Sequence, residues 1–171
     1  KFKLLEFGPS LINEISKKKI KKKIFNREKN KIKLISLSVD KKRKGVDKQI
    51  RLMNYINKQG IKCELTIIGH KSKKDYKNPN LKFLGFINKN KVLGENKIST
   101  YLLNSHFHVL FSKAEAYGIS LIEANSRGLS NISFDVGGIS HIIKNKINGK
   151  LFKKNEKIEI IGNYIISTFS D

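Results

Sequence analysis

A regular alternation of two periodicities constrains this chain more than any other feature. Short, continuous apolar runs rich in β-branched residues recur along it, separated by stretches whose apolar residues fall at helical spacing. KIKLISLS, residues 31–38, is the first run, and the polar stretch after it, 40–45, ends in Gly45. Residues 46–59 carry Ile50, Met53, Tyr55 and Ile56 at helical spacing and are closed by Gly60. CELTIIG (63–69) predicts a second strand, a polar loop covers 70–80, and LKFLGF (81–86) predicts a third strand. Residues 98–103 read as helical and HFHVLFS (106–112) as a fourth strand. A helix over 118–127 stops at Gly128, and NISFD (131–135) is a fifth strand, followed by Gly137 and Gly138. A short helix over 139–144, a turn at Asn148 and Gly149, a brief strand over 150–152 and an amphipathic helix over 156–169 complete the pattern.

Strand and helix in alternation predict an α/β fold: a Rossmann-like, doubly wound parallel sheet with helices on both faces. A sheet covered on both sides requires continuous apolar strands, which is what these runs are. In such sheets a ligand sits beyond the carboxyl ends of the strands, near the point where the strand order reverses. The loops after the first, fourth and fifth strands end there. They hold Arg43, Lys44 and Gly45; Glu115, Ala116, Tyr117 and Gly118; and Asp135, Gly137 and Gly138.

A length of 171 residues with 39% hydrophobic content suits one packed domain. No apolar run approaches the roughly 18 residues of a membrane span, and the N-terminus lacks a secretory signal. The single cysteine, Cys63, has no internal partner for a disulfide, so a reduced, cytoplasmic setting is expected. The chain opens on Lys1 rather than Met and reads as a fragment or excised domain. Residues 1–30 are expected to be an interdomain lead-in, with a short strand at Leu4 and Leu5 and a turn at Gly8 and Pro9, and 31–171 to be the domain itself.

The formal charge of +22, from 36 basic and 14 acidic residues, raises the question of a polyanionic partner. A nucleic-acid-binding module is the weaker reading. Arginine, the usual reader of phosphates and base edges, is confined to Arg27, Arg43, Arg51 and Arg127. Lys, Asn and Ile are abundant everywhere, as in proteins from AT-rich genomes, and no basic face is interleaved with aromatics. Lys17, Lys18, Lys19, Lys21, Lys22 and Lys23 form the one dense cluster. It has two readings: a solvated linker or helix face, or a surface drawn to an anionic membrane.

FSKAEAYGISLIEANSRG (111–128) is the most informative segment. Glu115 follows a strand, Ala116, Tyr117 and Gly118 lead into a helix, and Glu123 falls inside it. Free N–H groups at a helix start suit a phosphate or sugar hydroxyl, and carboxylates there accept from vicinal hydroxyls. The alternative is that Glu115 merely complements the helix dipole and Glu123 lies on the surface. His106 and His108 alternate along a strand and could pair on a metal, but without a third ligand they read as structural. His70 reads as a loop residue, and His141 lies nearer the expected site. The phosphate cradles of NTPases and dehydrogenases are absent, so those classes are excluded.

E-A-Y-G-I-S-L-I-E-A, followed by S-R-G-L-S and F-D-V-G-G-I, resembles the E-x7-E region of retaining glycosyltransferases of GT-B architecture, in the family 4 group. Glu115, Tyr117, Gly118, Glu123, Ala124, Gly128, Asp135, Gly137 and Gly138 carry the match. SVDKKRKGVDKQIRLMNYINKQG is similar to the family's diphosphate loop and its helix, LKFLGFINKN to the strand and loop that face the base, and N-K-I-N-G-K-L-F to its late turn. Together these cover 31–152 in order.

The resemblance implies the C-terminal half of a GT-B enzyme, binding a nucleoside diphosphate sugar without a metal or other cofactor. It implies that Glu115 contacts donor-sugar hydroxyls at the reacting centre and Glu123 the ribose. Backbone N–H groups of Ala116, Tyr117, Gly118 and Ile119 would reach the diphosphate and sugar, and Lys44, with Arg43 and Gly45, would neutralise the diphosphate. Phe86 and Ile87 would shelter the base, and Gly137 and Gly138 would border the site. A glycan or lipid-linked acceptor would be held by an N-terminal domain this chain lacks, so the isolated chain should bind donor weakly and transfer nothing. Polysaccharide and other cell-surface glycan synthesis, at the inner face of the membrane, is the implied setting. A nucleotide-sugar epimerase of similar fold is the rival enzyme. Departures from the pattern are the absence of an Arg at 38–40, Ser130 in place of a proline, and His141 where the family carries Glu.

Overall fold

The computed structural model describes residues 16–70 and 78–170. The expected features at Leu4, Leu5, Gly8 and Pro9, and the loop residues 71–77, lie outside the described residues.

Strands β1 (Ile32–Leu37), β2 (Cys63–Ile68), β3 (Leu81–Gly85), β4 (Phe107–Leu110), β5 (Ser130–Phe134) and β6 (Gly149–Phe152) form one sheet in the order β3-β2-β1-β4-β5-β6. Every pairing is parallel, with Leu34 opposite Leu65 on one side and Phe107 on the other. The order reverses between β1 and β4, as expected of a doubly wound Rossmann-like sheet.

The helices are α1 (Lys17–Phe25), α2 (Val46–Lys58), α3 (Val92–Leu103), α4 (Ile119–Asn125), α5 (Ile139–Ile142) and α6 (Ile158–Ser170). Alternate residues of β1 feed opposite faces. Ile32 and Leu34 pack with Leu52, Met53 and Ile56 of α2 and Ile161 and Ile165 of α6. Ile35 packs with Ile98 and Leu102 of α3 and Ala124 of α4. Leu110, Leu121, Ile139 and Ile143 make a third cluster that seats α4 and α5. Each such side chain, fully buried, contributes about 2 kcal/mol before the entropy of ordering it is counted.

Two elements are more fully defined than in the sequence. The helical stretch containing 98–103 begins at Val92. Val92 and Leu93 are exposed, so its first turn has no inward apolar residue to announce it. The lysine cluster is itself a helix, α1, with the Ser16 hydroxyl accepting from the Lys19 amide at 3.3 Å. Ile20 and Ile24, one turn apart, lie over Gly128. Just beyond, Arg27 donates to the carbonyls of Leu103 at 3.2 Å and Gly128 at 3.3 Å. The described part of the lead-in therefore rests against α3 and the end of α4.

The strand histidines are structural. His106 Nδ1 accepts from the Lys33 amide at 2.9 Å, which leaves Nε2 protonated to donate to Glu28 O at 2.8 Å. His108, fully buried, donates from Nδ1 to Asn131 Oδ1 at 2.8 Å. Burial pushes both imidazoles down from 6.5 to about 4. The unfolded chain regains the ordinary value. It therefore takes up protons between about pH 6.5 and 4 that the folded chain refuses, and stability is lost as pH falls through that window. His108 alone accounts for on the order of 3 kcal/mol across it. Urea midpoints measured from about pH 7 to pH 5 should fall steadily, and a midpoint flat over that range would contradict this assignment.

Candidate functional site

The loops following β1, β3, β4 and β5 open on the carboxyl edge of the sheet. Their close approach depends on glycine. Gly45 caps α2 at φ 69°, and a Cβ there would overlap the Phe111 carbonyl oxygen. That contact, with the Lys113 amide donating to Arg43 O at 2.8 Å, brings the β1 loop beside the β4 loop. Gly137, at φ 56°, lies against the Glu115 carbonyl, and Gly138 against that of Ala116. The nearest neighbours of the Gly-Gly pair are thus the backbone of the β4 loop, which the pair holds in place.

This arrangement delivers Lys44 to Glu115. The Lys44 ammonium ion-pairs with Glu115 Oε2, both side chains being largely buried. Arg43 approaches the same oxygen at 3.6 Å, and the Ser112 hydroxyl donates to it at 3.2 Å. Arg43 therefore points into the site. Among the described residues, the polar contacts of this carboxylate all fall on Oε2.

Glu123 is not a surface residue: it is 4% exposed, one turn into α4. Lys89, from the loop after β3, donates to its Oε1 at 2.5 Å. Burial pushes the Glu123 carboxyl up, while Lys89 and Arg127 pull it back. Lys89 was not singled out in the sequence. The available signal was its place just beyond a strand end on the ligand edge.

The remaining expected residues line the same edge. Gly118, at φ 76°, caps α4, and Ala116, Tyr117 and Ile119 stand exposed around it. Ile87 is half-buried against the α3-side cluster, while Phe86 is 73% exposed. A cleft of about 600 Å³ opens beside Glu115, between Arg43, Lys113, Val136, Gly137 and Lys154. His141 lies in the last turn of α5, and His70 packs edge-on to Phe83 at 6.0 Å. Among the described residues no group of His, Cys, Asp and Glu could hold a metal ion. Two lysine–carboxylate pairs on one edge suit a ligand that carries both phosphates and hydroxyls, since cations take the former and carboxylates the latter.

Sheet order and reversal point define the class: a Rossmann-like α/β domain, with the fold of the matching domains of solved glycosyltransferases. The family model for glycosyl transferases group 1 matches residues 17–171, and the chain belongs to that family. A search of curated proteins finds no match. Among solved structures it is similar to WaaG, a glycosyltransferase involved in lipopolysaccharide biosynthesis, at 18% identity and TM-score 0.68 over 90% of this chain and 42% of that one. It is similar to the sucrose-phosphate synthase of Thermosynechococcus elongatus at 18% identity and TM-score 0.69, over 86% of this chain and 38% of that one. It is similar to Anabaena HepE, solved in complex with UDP and glucose, at 18% identity and TM-score 0.66, over 92% of this chain and 44% of that one. The chain thus spans less than half the length of each, and at these identities the likeness is one of fold.

Proposed function

We propose that the chain is the donor-binding domain of a retaining glycosyltransferase of the family 4 group, using a nucleoside diphosphate sugar. The observation that carries this reading is the convergence of Lys44–Glu115 and Lys89–Glu123 on the edge where such sheets bind ligands. In the reaction, the bond between the anomeric carbon and the diphosphate oxygen breaks and its electron pair leaves on the diphosphate. An acceptor hydroxyl oxygen bonds to that carbon from the same face, and its proton is released. Lys44 and Arg43 stabilise the charge that develops on the leaving group, and no metal is needed for that role. Glu115 accepts from sugar hydroxyls, Glu123 accepts from the ribose, and Ile87 and Phe86 flank the base.

UDP is the first nucleotide to test, since HepE was solved with it. By likeness to WaaG, a glycosyltransferase involved in lipopolysaccharide biosynthesis, the product would be a cell-surface glycan, and its synthesis would take place at the inner face of the membrane. The acceptor would be presented by a second domain. Titration with UDP, GDP and ADP should give saturable binding of one of them. Lys44→Ala should weaken it about tenfold or more, the worth of one charge-assisted hydrogen bond. Lys18→Ala, on α1, serves as the charge control. Equal loss in both variants, or none in Lys44→Ala, would sink the diphosphate assignment.

A further inference from the structure

The loop between β3 and α3, residues 86–91, reads F-I-N-K-N-K. Asn88 shapes it into a turn. Its side chain accepts from the Asn90 amide at 3.0 Å, and its carbonyl accepts from the Lys91 amide at 3.3 Å. Gly94, in the first turn of α3, lies so close to that carbonyl that a Cβ would overlap its oxygen. The turn is thereby pinned to α3, and Lys89 is its second residue. From there the Lys89 ammonium reaches α4 and donates to Glu123 Oε1 at 2.5 Å.

The two members of this pair have different surroundings. The Lys89 side chain is 32% exposed and that of Glu123 only 5%. The lysine therefore keeps part of its hydration, while the carboxylate has given up nearly all of its own. A carboxylate without water keeps its charge where a cation or donor compensates, and otherwise takes up a proton. Burial pushes the Glu123 carboxyl up, and Lys89 is the strongest influence in the opposite direction. Arg127, one turn further along α4, acts in the same direction more weakly. Its own Nε donates to Ser99 Oγ of α3 at 3.0 Å, and Glu95 of α3 shares its charge. Lys89 is thus the cation that bears directly on Glu123. Protonation changes what Glu123 can do: the carboxylate only accepts, whereas the acid turns one oxygen into a donor. A ribose diol is recognised by acceptors.

We propose that Lys89 is a positioning residue of the ribose site: it keeps the buried Glu123 carboxylate in its acceptor-only form, so that recognition of the ribose hydroxyls depends on a charge supplied by the β3–α3 loop. The inference rests on the donor-site reading, which assigns the ribose to Glu123. Ile87, assigned to the base, belongs to the same pinned loop, with its Cγ2 atom 3.3 Å from the Cβ position of Gly94. One short loop then sets both ends of the nucleoside.

The test is a calorimetric titration of the whole chain with UDP, GDP and ADP, each beside its 2′-deoxy form, between about pH 5.5 and 9. The readout is the ratio of the ribose to the 2′-deoxy affinity, in which titration of the phosphates and of the lysines around them cancels. Lys89→Met keeps the apolar stem and removes the charge. It should lose the ribose preference toward the acid end and regain it toward the alkaline end, as Glu123 gives up its proton. Its profile should lie about one pH unit or more above that of wild type, the effect of removing an opposite charge at hydrogen-bond distance. Lys89→Arg should restore the wild-type profile. Lys91→Met, which removes an exposed charge from the same loop, should leave the profile unchanged. Equal weakening of both nucleotides in Lys89→Met, with the ratio intact at every pH, would overturn the inference and make Lys89 a phosphate contact. A loss of stability with the ratio intact would overturn it in favour of a purely structural ion pair. A preference lost at every pH would overturn it as well, because Glu123 would then be displaced rather than protonated. The wild type separates these results from a failure of the donor reading. If it binds none of the three nucleotides, or ignores the 2′-hydroxyl, the assignment of ribose to Glu123 falls and this inference falls with it. If it prefers the ribose form, the variants decide the role of Lys89 alone.

Discussion

Replacing Glu123 by Ala is expected to weaken nucleoside diphosphate binding by about a hundredfold, the worth of two charge-assisted hydrogen bonds at roughly 1.5 kcal/mol each. Glu123 is buried, and Lys89 holds one of its oxygens. A role confined to balancing Lys89 would predict a loss of stability with little preference for ribose. The discriminating ligand is therefore the 2′-deoxy nucleoside diphosphate. Wild type should prefer the ribose form and Glu123→Ala should not, because a diol that has lost its acceptor gains nothing from the 2′-hydroxyl. Glu123→Gln, which keeps volume and one acceptor oxygen, should fall between them. Calorimetric titration reads all three, and a wild type indifferent to the 2′-hydroxyl would refute the assignment.

Gly137→Ala is expected to cost about 2–4 kcal/mol of stability and to weaken donor binding even under conditions where the chain remains folded. Two effects combine. A φ of 56° disfavours any side chain, and the new Cβ would overlap the Glu115 carbonyl oxygen. Relief requires the β5 loop to move away from the β4 loop, and the β4 loop carries Glu115. Gly60→Ala is the internal control: its φ is 81°, but nothing lies within 4 Å of its Cβ position. It should cost only the strain, about 1 kcal/mol. Urea unfolding of both variants separates strain from contact, and equal losses would defeat the claim that the Gly-Gly pair fastens the two loops.

The sheet was legible in the sequence because both its faces are covered. Ile32, Leu34 and Ile35 must all be apolar, whichever way each points, so the strands stand out as uninterrupted runs. Their ends were less legible. The run at 106–112 pairs only over Phe107–Leu110, since ladder pairing is a property of the neighbouring strand rather than of the run itself. The start of α3 was hidden for the opposite reason, its first turn burying no apolar side chain.

In the site, Lys44, Glu115 and Glu123 could be named from their places after strands and inside a helix, but their partners could not. Lys89 lies 34 residues from Glu123, and only the sheet order brings the two loops together. The same folding brings the partly exposed Arg43 within 3.6 Å of Glu115. It also makes Gly137 and Gly138 a fastening between loops, a role that a Gly-Gly dipeptide does not disclose. The strand histidines read as structural from the sequence. Their hydrogen bonds to backbone and to Asn131 could be found only once the strands were in register.

The central claim is that one edge of the sheet, between Lys44–Glu115 and Lys89–Glu123, receives a nucleoside diphosphate. Amide-shift mapping of the isotopically labelled 171-residue chain during titration with UDP, GDP and ADP tests it most directly. The account predicts that one of the three nucleotides saturates a single site. The largest shifts should fall on Lys44, Gly45, Ile87, Lys89 and residues 117–123, as one contiguous patch. Shifts spread over the lysines of α1 and the surface of α6, or a folded chain unperturbed by all three nucleotides, would contradict it.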